Sequence, residues 1–118
     1  MKESILTEKT LAFAVRIVNL YKFLDTEQKE HIMSKQVLRS GTSIGANVNE
    51  ANFGQSKADF ISKLQIALKE TAETEYWIKV LMESEYIEEK ISISLISDCI
   101  AIKKLLIASI NTAKENIQ

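Results

Sequence analysis

The sequence predicts an all-α fold, an antiparallel up-down-up-down four-helix bundle. Three observations lead to this prediction. Apolar residues recur at helical spacing in four long segments, and no repeat or low-complexity stretch separates them. The absence of proline and the presence of only three glycines in 118 residues exclude collagen-like, proline-rich and loop-rich β architectures. Short polar stretches join the segments, and long helices joined by short loops pack best as antiparallel neighbours.

Length and composition indicate one globular domain spanning residues 1–118. Domains cluster near 100–150 residues, and 46% hydrophobic with 26% charged residues is typical of a folded chain. Cys99 is the only cysteine, so the chain cannot form an internal disulfide. The first ten residues are too polar for a signal peptide, and no apolar run approaches the length of a membrane span. The sequence therefore predicts a cytoplasmic protein without a membrane partner.

The first predicted helix runs from about residue 4 to residue 24. Ser4 or Thr7 is a candidate N-cap, because a side-chain oxygen can accept hydrogen bonds from the free amide groups of the first turn. Polar residues 25–30 predict the first connection. Two apolar rows recur at helical spacing in this segment: Leu11, Val15, Val18 and Phe13, Ile17, Leu20, Tyr21, Leu24.

The second predicted helix spans about residues 29–53, and Gly54 supplies its stop. Gly41 and Gly45 lie inside it, where each costs about 1 kcal/mol relative to alanine. A helix break at these glycines is the alternative. We favour a continuous helix, because glycines four residues apart form a smooth face that lets another backbone approach closely, and that packing offsets the propensity cost.

The third and fourth predicted helices span about residues 57–85 and 88–116. Ser56 is a good N-cap for the third helix, with Asp59 three residues further on. Residues 91–95 alternate apolar and polar with period two, which is locally typical of a strand. Since no other segment alternates, a lone strand would have no partner, and we interpret this stretch as helix. One stripe of the fourth helix comprises Leu95, Cys99, Ile102, Leu106, Ile110, Ala113 and Ile117.

On the second predicted helix, the face next to the two glycines is polar. Ser43, Asn47, Glu50 and Gly54 share it, and a buried polar group on this face needs a hydrogen-bond partner. The third helix offers such partners, and Arg39 can pair with its carboxylates. We predict a structural polar layer with close helix packing, and a contact to a ligand or nucleic acid is the alternative. The set comprises Arg39, Gly41, Ser43, Gly45, Asn47, Glu50, Glu70, Glu73, Tyr76 and Trp77.

Charge is unevenly distributed, although the net charge is only −1. Residues 1–69 sum to +3 and residues 90–118 to +2, whereas residues 70–89 sum to −6. Solvated helix faces are the simplest interpretation, and no run of five or more basic residues points to nucleic acid. The acids of the negative segment are Glu70, Glu73, Glu75, Glu83, Glu85, Glu88 and Glu89.

No set of residues identifies a reaction. A di-iron bundle needs Glu-x-x-His pairs, but His31 is the only histidine and Gln28 stands three residues before it. Cys99 lies on an apolar stripe, which predicts a small core residue rather than a nucleophile. A phosphate-binding loop and a Ser-His-Asp set are also lacking. We therefore predict no enzyme activity, no metal, no cofactor and no small-molecule substrate.

Four strings carry a family resemblance. Residues 38–51 (LRSGTSIGANVNEA), 56–60 (SKADF), 63–70 (KLQIALKE) and 73–77 (ETEYW) resemble, in order and spacing, the signature of the 23S rRNA-intervening-sequence protein family of four helix bundle proteins. The resemblance covers roughly residues 16–110.

The resemblance implies a left-handed bundle, a cytosolic bacterial protein and a homo-oligomer, most simply a ring of five subunits. Some relatives are encoded inside insertions of large-subunit rRNA genes. Others resemble the accessory protein of diversity-generating retroelements, which binds RNA and a reverse transcriptase. The family supplies no catalytic residues.

Two function hypotheses follow. The first is a homo-oligomeric scaffold that binds RNA or an RNA-linked protein. The second is a protein–protein interaction module without a nucleic-acid role, whose docking surface is the acidic end at residues 83–89 or the isoleucines of the fourth helix. The candidate nucleic-acid contacts are Lys35, Arg39, Lys57, Lys63, Lys103 and Lys104.

Oligomerisation is predicted from the fourth helix. Its isoleucines cannot all be buried in one four-helix core together with the apolar stripe that contains Leu95 and Cys99. The predicted oligomer interface consists of Ile93, Ile96, Ile100 and Ile107.

Overall fold

The computed structural model describes residues 2–116 and contains four α-helices in that range, with no strand. The molecule measures 50 × 22 × 20 Å. The predicted all-α four-helix bundle is confirmed. Ile117, which was predicted to continue the stripe of the fourth helix, lies outside the described residues. The helices are α1 (Lys2–Thr26), α2 (Met33–Ala51), α3 (Lys57–Glu83) and α4 (Glu89–Glu115).

Ion pairs between α2 and α3 show how these two helices are arranged. Arg39, in the first half of α2, pairs with Glu70 at the middle of α3, at 3.2 Å. Glu50, near the end of α2, pairs with Lys63 in the first part of α3, at 3.0 Å. Later residues of one helix thus meet earlier residues of the other, which is the pattern of antiparallel neighbours. The up-down-up-down order of the whole bundle and its left-handed twist stay predictions.

The core runs along the bundle axis and draws on all four helices. On α1 only one of the two apolar rows enters it, because Leu11 and Val15 are 65% and 53% exposed. Its largest fully buried side chains are Phe13, Ile17, Leu24, Val37, Ile44, Val48, Leu64, Ile78, Leu81, Leu95, Ile102 and Leu106.

Both sequence interpretations that favoured helix over an interruption are confirmed. The helix α2 passes through Gly41 and Gly45 without a break, and residues 91–95 lie inside α4. A side chain at position 41 would collide with α1, since an ideal Cβ there would lie 2.8 Å from both γ-carbons of Ile17. At position 45 the nearest atom would be the hydroxyl oxygen of Thr10, at 3.3 Å. The close approach of α1 and α2 therefore depends mainly on Gly41.

The start of α2 differs from the prediction, because the helix begins at Met33 instead of residue 29. Lys29 has φ of 54°, in the left-handed region, so the helical path cannot run through it. Glu30 instead folds its carboxylate back onto the helix start and accepts from the amide groups of Ile32, Met33 and Ser34, at 3.3, 3.1 and 2.7 Å. This side chain replaces the usual N-cap.

The cap makes stability depend on the ionisation of Glu30. Burial favours the neutral carboxyl, but the three amide donors together outweigh it and lower the pKa of Glu30 below its ordinary value. Because the folded-state pKa is lowered, the contribution is fully present above the unfolded-state pKa and is lost as the pH falls through the folded-state pKa.

We expect Glu30→Gln to lower the free energy of unfolding by about 1–2 kcal/mol at pH 7. The difference from the unaltered chain should shrink as the pH falls through the lowered folded-state pKa of Glu30, where the native carboxyl also becomes protonated. Urea titrations at a series of pH values measure this, with the exposed Glu8→Gln as a control. A difference that does not change with pH would contradict the capping role of the charge.

Other helix ends were predicted with mixed success. The Ser56 hydroxyl accepts from the amide of Asp59 at 3.0 Å, so the predicted N-cap of α3 is confirmed. The predicted caps of α1 are wrong, because α1 begins at Lys2 and both Ser4 and Thr7 lie inside it. The remaining boundaries differ from the prediction by one or two residues: α1 ends at residue 26, α2 ends at residue 51, α3 ends at residue 83 and α4 spans residues 89–115.

The end of α3 is closed by a Schellman motif whose left-handed residue is not glycine. The amide of Tyr86 donates to the carbonyl of Leu81 at 2.9 Å, and that of Glu85 to the carbonyl of Met82 at 3.0 Å. Glu85 has φ of 67°, a conformation that favours glycine because a Cβ is crowded there.

We expect Glu85→Gly to raise the free energy of unfolding by about 0.5–1 kcal/mol, since relief of the left-handed strain exceeds the entropy that glycine adds to the unfolded chain. The matched control Glu83→Gly removes the same charge inside the last helical turn and should lower it by about 1 kcal/mol. Thermal and urea unfolding measure both changes. Equal shifts for the two variants would show that charge, rather than backbone conformation, decides the result.

Candidate interaction surfaces

A charged and aromatic cluster links α2 to α3 at the surface. Arg39 pairs with Glu70 at 3.2 Å and with the carboxylate of Glu73. The indole nitrogen of Trp77 donates to that same carboxylate at 3.1 Å. Tyr76 packs edge-on against Trp77 with ring centroids 5.4 Å apart, and it is 60% exposed. The structure thus brings these five predicted residues together, on a half-exposed face of the bundle.

The other polar residues predicted for this set lie apart from the cluster. The Ser43 hydroxyl donates to the carbonyl of Arg39 at 2.6 Å, and the Asn47 amide to the carbonyl of Ser43 at 2.9 Å, both within α2. Glu50 is exposed and pairs with Lys63, whose pKa is raised by the hydrogen bond and charge of Glu50. These residues therefore satisfy their polar groups locally or at the surface.

Ser40, the α2 residue of a buried polar contact with α3, was missed from the sequence. The hydroxyls of Ser40 and Thr74 share a hydrogen bond of 2.9 Å, and both residues are fully buried. Thr71, one turn away, is also fully buried and donates to the carbonyl of Ala67 at 2.8 Å. The sequence did contain a signal for this contact. Ser40 lies three residues after the core residue Val37, and Thr74 lies four residues before the core residue Ile78, so each shares a helix face with a core residue.

A second ion-pair cluster links α3 to α4. The Glu75 carboxylate pairs with Lys103 at 2.6 Å and with Lys79 at 2.9 Å, and its side chain is only 14% exposed. The hydrogen bond from Lys103 lowers the pKa of Glu75, with Lys79 contributing in the same direction against the opposing effect of burial. Lys103, a predicted nucleic-acid contact, is therefore engaged within the bundle.

The six candidate nucleic-acid contacts do not form one patch. Arg39, Lys63 and Lys103 are engaged in ion pairs with glutamates. The remaining three, Lys35, Lys57 and Lys104, are exposed and have no ion-pair partner in the range 5–116. Lys35 lies in the first turn of α2 and Lys57 in the first turn of α3, so these two bases are near opposite ends of α2.

The isoleucines of α4 separate into two groups. Ile93, Ile100 and Ile107 are 55%, 45% and 46% exposed, whereas Ile96 is partly buried against the core. The three exposed residues recur every seven positions, about two helical turns, and form a line about 21 Å long on the helix surface. We call these three residues the isoleucine stripe. It runs beside Lys103, and therefore along the α3 side of α4.

Reactive groups are few in the described part of the chain. Burial raises the pKa of the Cys99 thiol to about 12, and the nearby negative charge of Glu75 adds to the effect. Its prediction as a small core residue is confirmed. His31 lies 2.7 Å from the Asp25 carboxylate on the surface. Between residues 5 and 116 no three His, Cys, Asp or Glu side chains come together as metal ligands, and no helix in the described part of the chain has the length and apolarity needed to cross a membrane.

Fold and surface together define an all-α four-helix-bundle protein. The chain belongs to the family of 23S rRNA-intervening sequence proteins, whose family model matches residues 2–108, as the sequence motifs predicted. It is similar to a crystallised protein of unknown function from the S23 ribosomal protein family of Bacteroides thetaiotaomicron. The two share 59% sequence identity over 94% of this chain and 99% of that chain, with a TM-score of 0.93. No match is found among curated proteins.

Proposed function

We propose that this chain is a non-enzymatic, cytoplasmic, homo-oligomeric scaffold that binds RNA or an RNA-linked protein. The isoleucine stripe is the observation that carries the proposal. Exposed apolar surface marks interaction sites, and Ile93, Ile100 and Ile107 each leave about half of their surface exposed along one line of α4.

A second exposed apolar surface, on α1, favours a ring of subunits over a twofold dimer. Leu11 and Val15 are exposed on the outer face of α1, whereas the isoleucine stripe faces the α3 side of α4. Contact between two unlike surfaces is heterologous, and such contacts generate rings when the rotation closes. A ring of five subunits, as the family resemblance implies, is compatible with this arrangement.

Two observations support RNA binding. The family description refers to an intervening sequence of 23S rRNA, and the chain exposes lysine side chains that have no ion-pair partner in the described structure. A single chain has a net charge of −1 and offers few phosphate contacts. A ring repeats Lys35, Lys57 and Lys104 in every subunit, and such multivalency strengthens binding without any new contact.

Support for a non-enzymatic role comes from the chemistry of the described residues. The Cys99 thiol is buried with a pKa raised to about 12, and the only histidine is held at the surface beside Asp25. Neither arrangement provides an activated nucleophile with a neighbouring base.

A gel-shift titration with a transcript of a 23S rRNA hairpin carrying an intervening sequence tests the RNA proposal. We expect retention at 50 mM salt and a steep loss of affinity towards 300 mM, since neutralised phosphates release counterions. The triple variant Lys35→Gln, Lys57→Gln, Lys104→Gln should bind about tenfold or more weakly and with a smaller salt slope. Lys22→Gln and Lys69→Gln, both exposed, serve as controls.

Absence of retention at 50 mM salt, or equal binding by the triple variant and the controls, would remove the RNA proposal. The second candidate, a protein–protein interaction module without a nucleic-acid role, would then be favoured. The unpaired carboxylates of residues 83–89 support that candidate.

A further inference from the structure

An apolar groove runs between α1 and α4 near the end of the bundle where α1 finishes. Its volume is about 440 Å³, and its apolar lining consists of Leu20, Phe23, Ile87, Ile91 and Leu95. Phe23 and Ile91 remain 41% and 47% exposed at its mouth, while the other three are buried. The groove is thus an open apolar slot with large side chains available to a partner.

One carboxylate, Glu88, lines this groove, and three more lie beside it. A neighbouring depression of about 660 Å³ shares Phe23, Ile87 and Glu88 with it and adds Glu83, Glu85 and Glu89. None of these four carboxylates has an ion-pair partner among residues 5–116, whose side chains the structure describes. Arg16, which also lines the groove, is already paired with Asp98 at 2.7 Å. Apolar surface and uncompensated negative charge therefore meet at one place.

Helix stability explains only half of these carboxylates. Glu88 and Glu89 stand at the start of α4, where the helix dipole favours negative charge. Glu83 and Glu85 stand at the end of α3, where the dipole disfavours it, and Glu85 also occupies a left-handed conformation. Residues that are unfavourable for the stability of their own helix, with no nearby contact that offsets the cost, are expected at functional sites.

We infer that this groove docks a basic amphipathic helical segment of a partner protein. Apolar side chains of the segment, three or four residues apart, would fill the slot over Phe23 and Ile91, and flanking lysines or arginines would pair with Glu83 and Glu85. The same negative charge repels RNA. The groove lies on the α1 side of α4, opposite the isoleucine stripe, so this docking site goes beyond the proposed scaffold and does not depend on RNA binding.

Fluorescence anisotropy with a labelled 14-residue peptide of leucines at helical spacing and lysines elsewhere tests the inference. Two matched peptides replace either the lysines with glutamate or the leucines with serine. We expect the Lys/Leu peptide to bind the full chain about tenfold or more tightly than either matched peptide. Its affinity should fall with added salt, because the pairs are exposed.

Two variants locate the binding. Phe23→Ser should weaken binding of the Lys/Leu peptide about tenfold, while Ile66→Ser on α3, where Ile66 is 40% exposed, should leave it unchanged. Glu83→Gln with Glu85→Gln should weaken it about fivefold and reduce the salt dependence, while Glu8→Gln with Glu115→Gln should not. Circular dichroism checks that each variant keeps its helix content.

Three results would overturn the inference. The first is equal binding of all three peptides, and the second is binding that responds equally to the groove variants and their controls. The third is a change in the sedimentation of the chain itself on Phe23→Ser, which would assign the groove to a second copy of this protein. The RNA titration is unaffected by any of these outcomes, so the two proposals fail separately.

Discussion

Replacing Gly41 with valine is expected to lower the free energy of unfolding by about 3 kcal/mol. An ideal Cβ at this position lies 2.8 Å from both γ-carbons of Ile17 and 3.2 Å from its Cβ. Ile17 is fully buried and β-branched, so it cannot rotate away without losing core contacts. The helix-propensity gain over glycine is below about 1 kcal/mol and does not offset the overlap. Urea unfolding followed by circular dichroism measures the loss.

Gly45→Ala, compared with Gly41→Ala, is the control for position. Its Cβ would meet the Thr10 hydroxyl at 3.3 Å, so a small shift accommodates it, and the change should stay below about 1 kcal/mol. In an Ile17→Ala background the γ-carbons are gone, and Gly41→Val should cost less than in the unaltered chain. A Gly41→Val variant as stable as the unaltered chain would contradict close packing of α1 and α2 at Gly41.

Substituting Ile93 and Ile100 together with lysine is expected to convert the proposed oligomer into monomers of 13.3 kDa without loss of helix content. The two side chains are 55% and 45% exposed, so the core does not need them. At a buried subunit interface each lysine must be desolvated, and we expect association to weaken about 100-fold or more. Sedimentation velocity measures the assembly, and circular dichroism measures the fold.

Ile66→Lys is the control for the interface variant, because Ile66 is an isoleucine that is 40% exposed on α3, outside the stripe. It should leave sedimentation unchanged. If the double lysine variant sediments like the unaltered chain, the isoleucine stripe is not the subunit interface.

The fold was largely predictable because the apolar residues recur with helical periodicity and because the sequence offers no second strand with which a β-ladder could form. Residues 91–95 alternate like a strand, but without a second alternating segment no ladder can form, and they are helical in the structure. Gly41 predicted close packing because a small residue inside a helix needs a compensating contact, and Ile17 supplies it. The start of α2 was not predictable in the same way. The side chain of Glu30, which precedes the helix, accepts hydrogen bonds from the amides of its first turn, and hydrophobic periodicity carries no information about such a contact.

The candidate surfaces were predicted less completely, since they depend on the rotation and register of neighbouring helices. Arg39 was expected to pair with carboxylates of the third helix, and in the structure it forms ion pairs with Glu70 and Glu73. The pairing of Glu75 with Lys103 requires the register of α3 against α4, which the sequence does not contain. For the same reason, whether an apolar residue faces the core or the solvent was not decided for α1.

Sedimentation velocity of the unaltered chain at micromolar concentrations tests the scaffold proposal most directly. An assembly several times heavier than 13.3 kDa is expected, fivefold if the ring implied by the family resemblance forms. A single species at 13.3 kDa across that concentration range would mean that the exposed isoleucines of α4 do not join copies of this chain, and the scaffold proposal would be wrong.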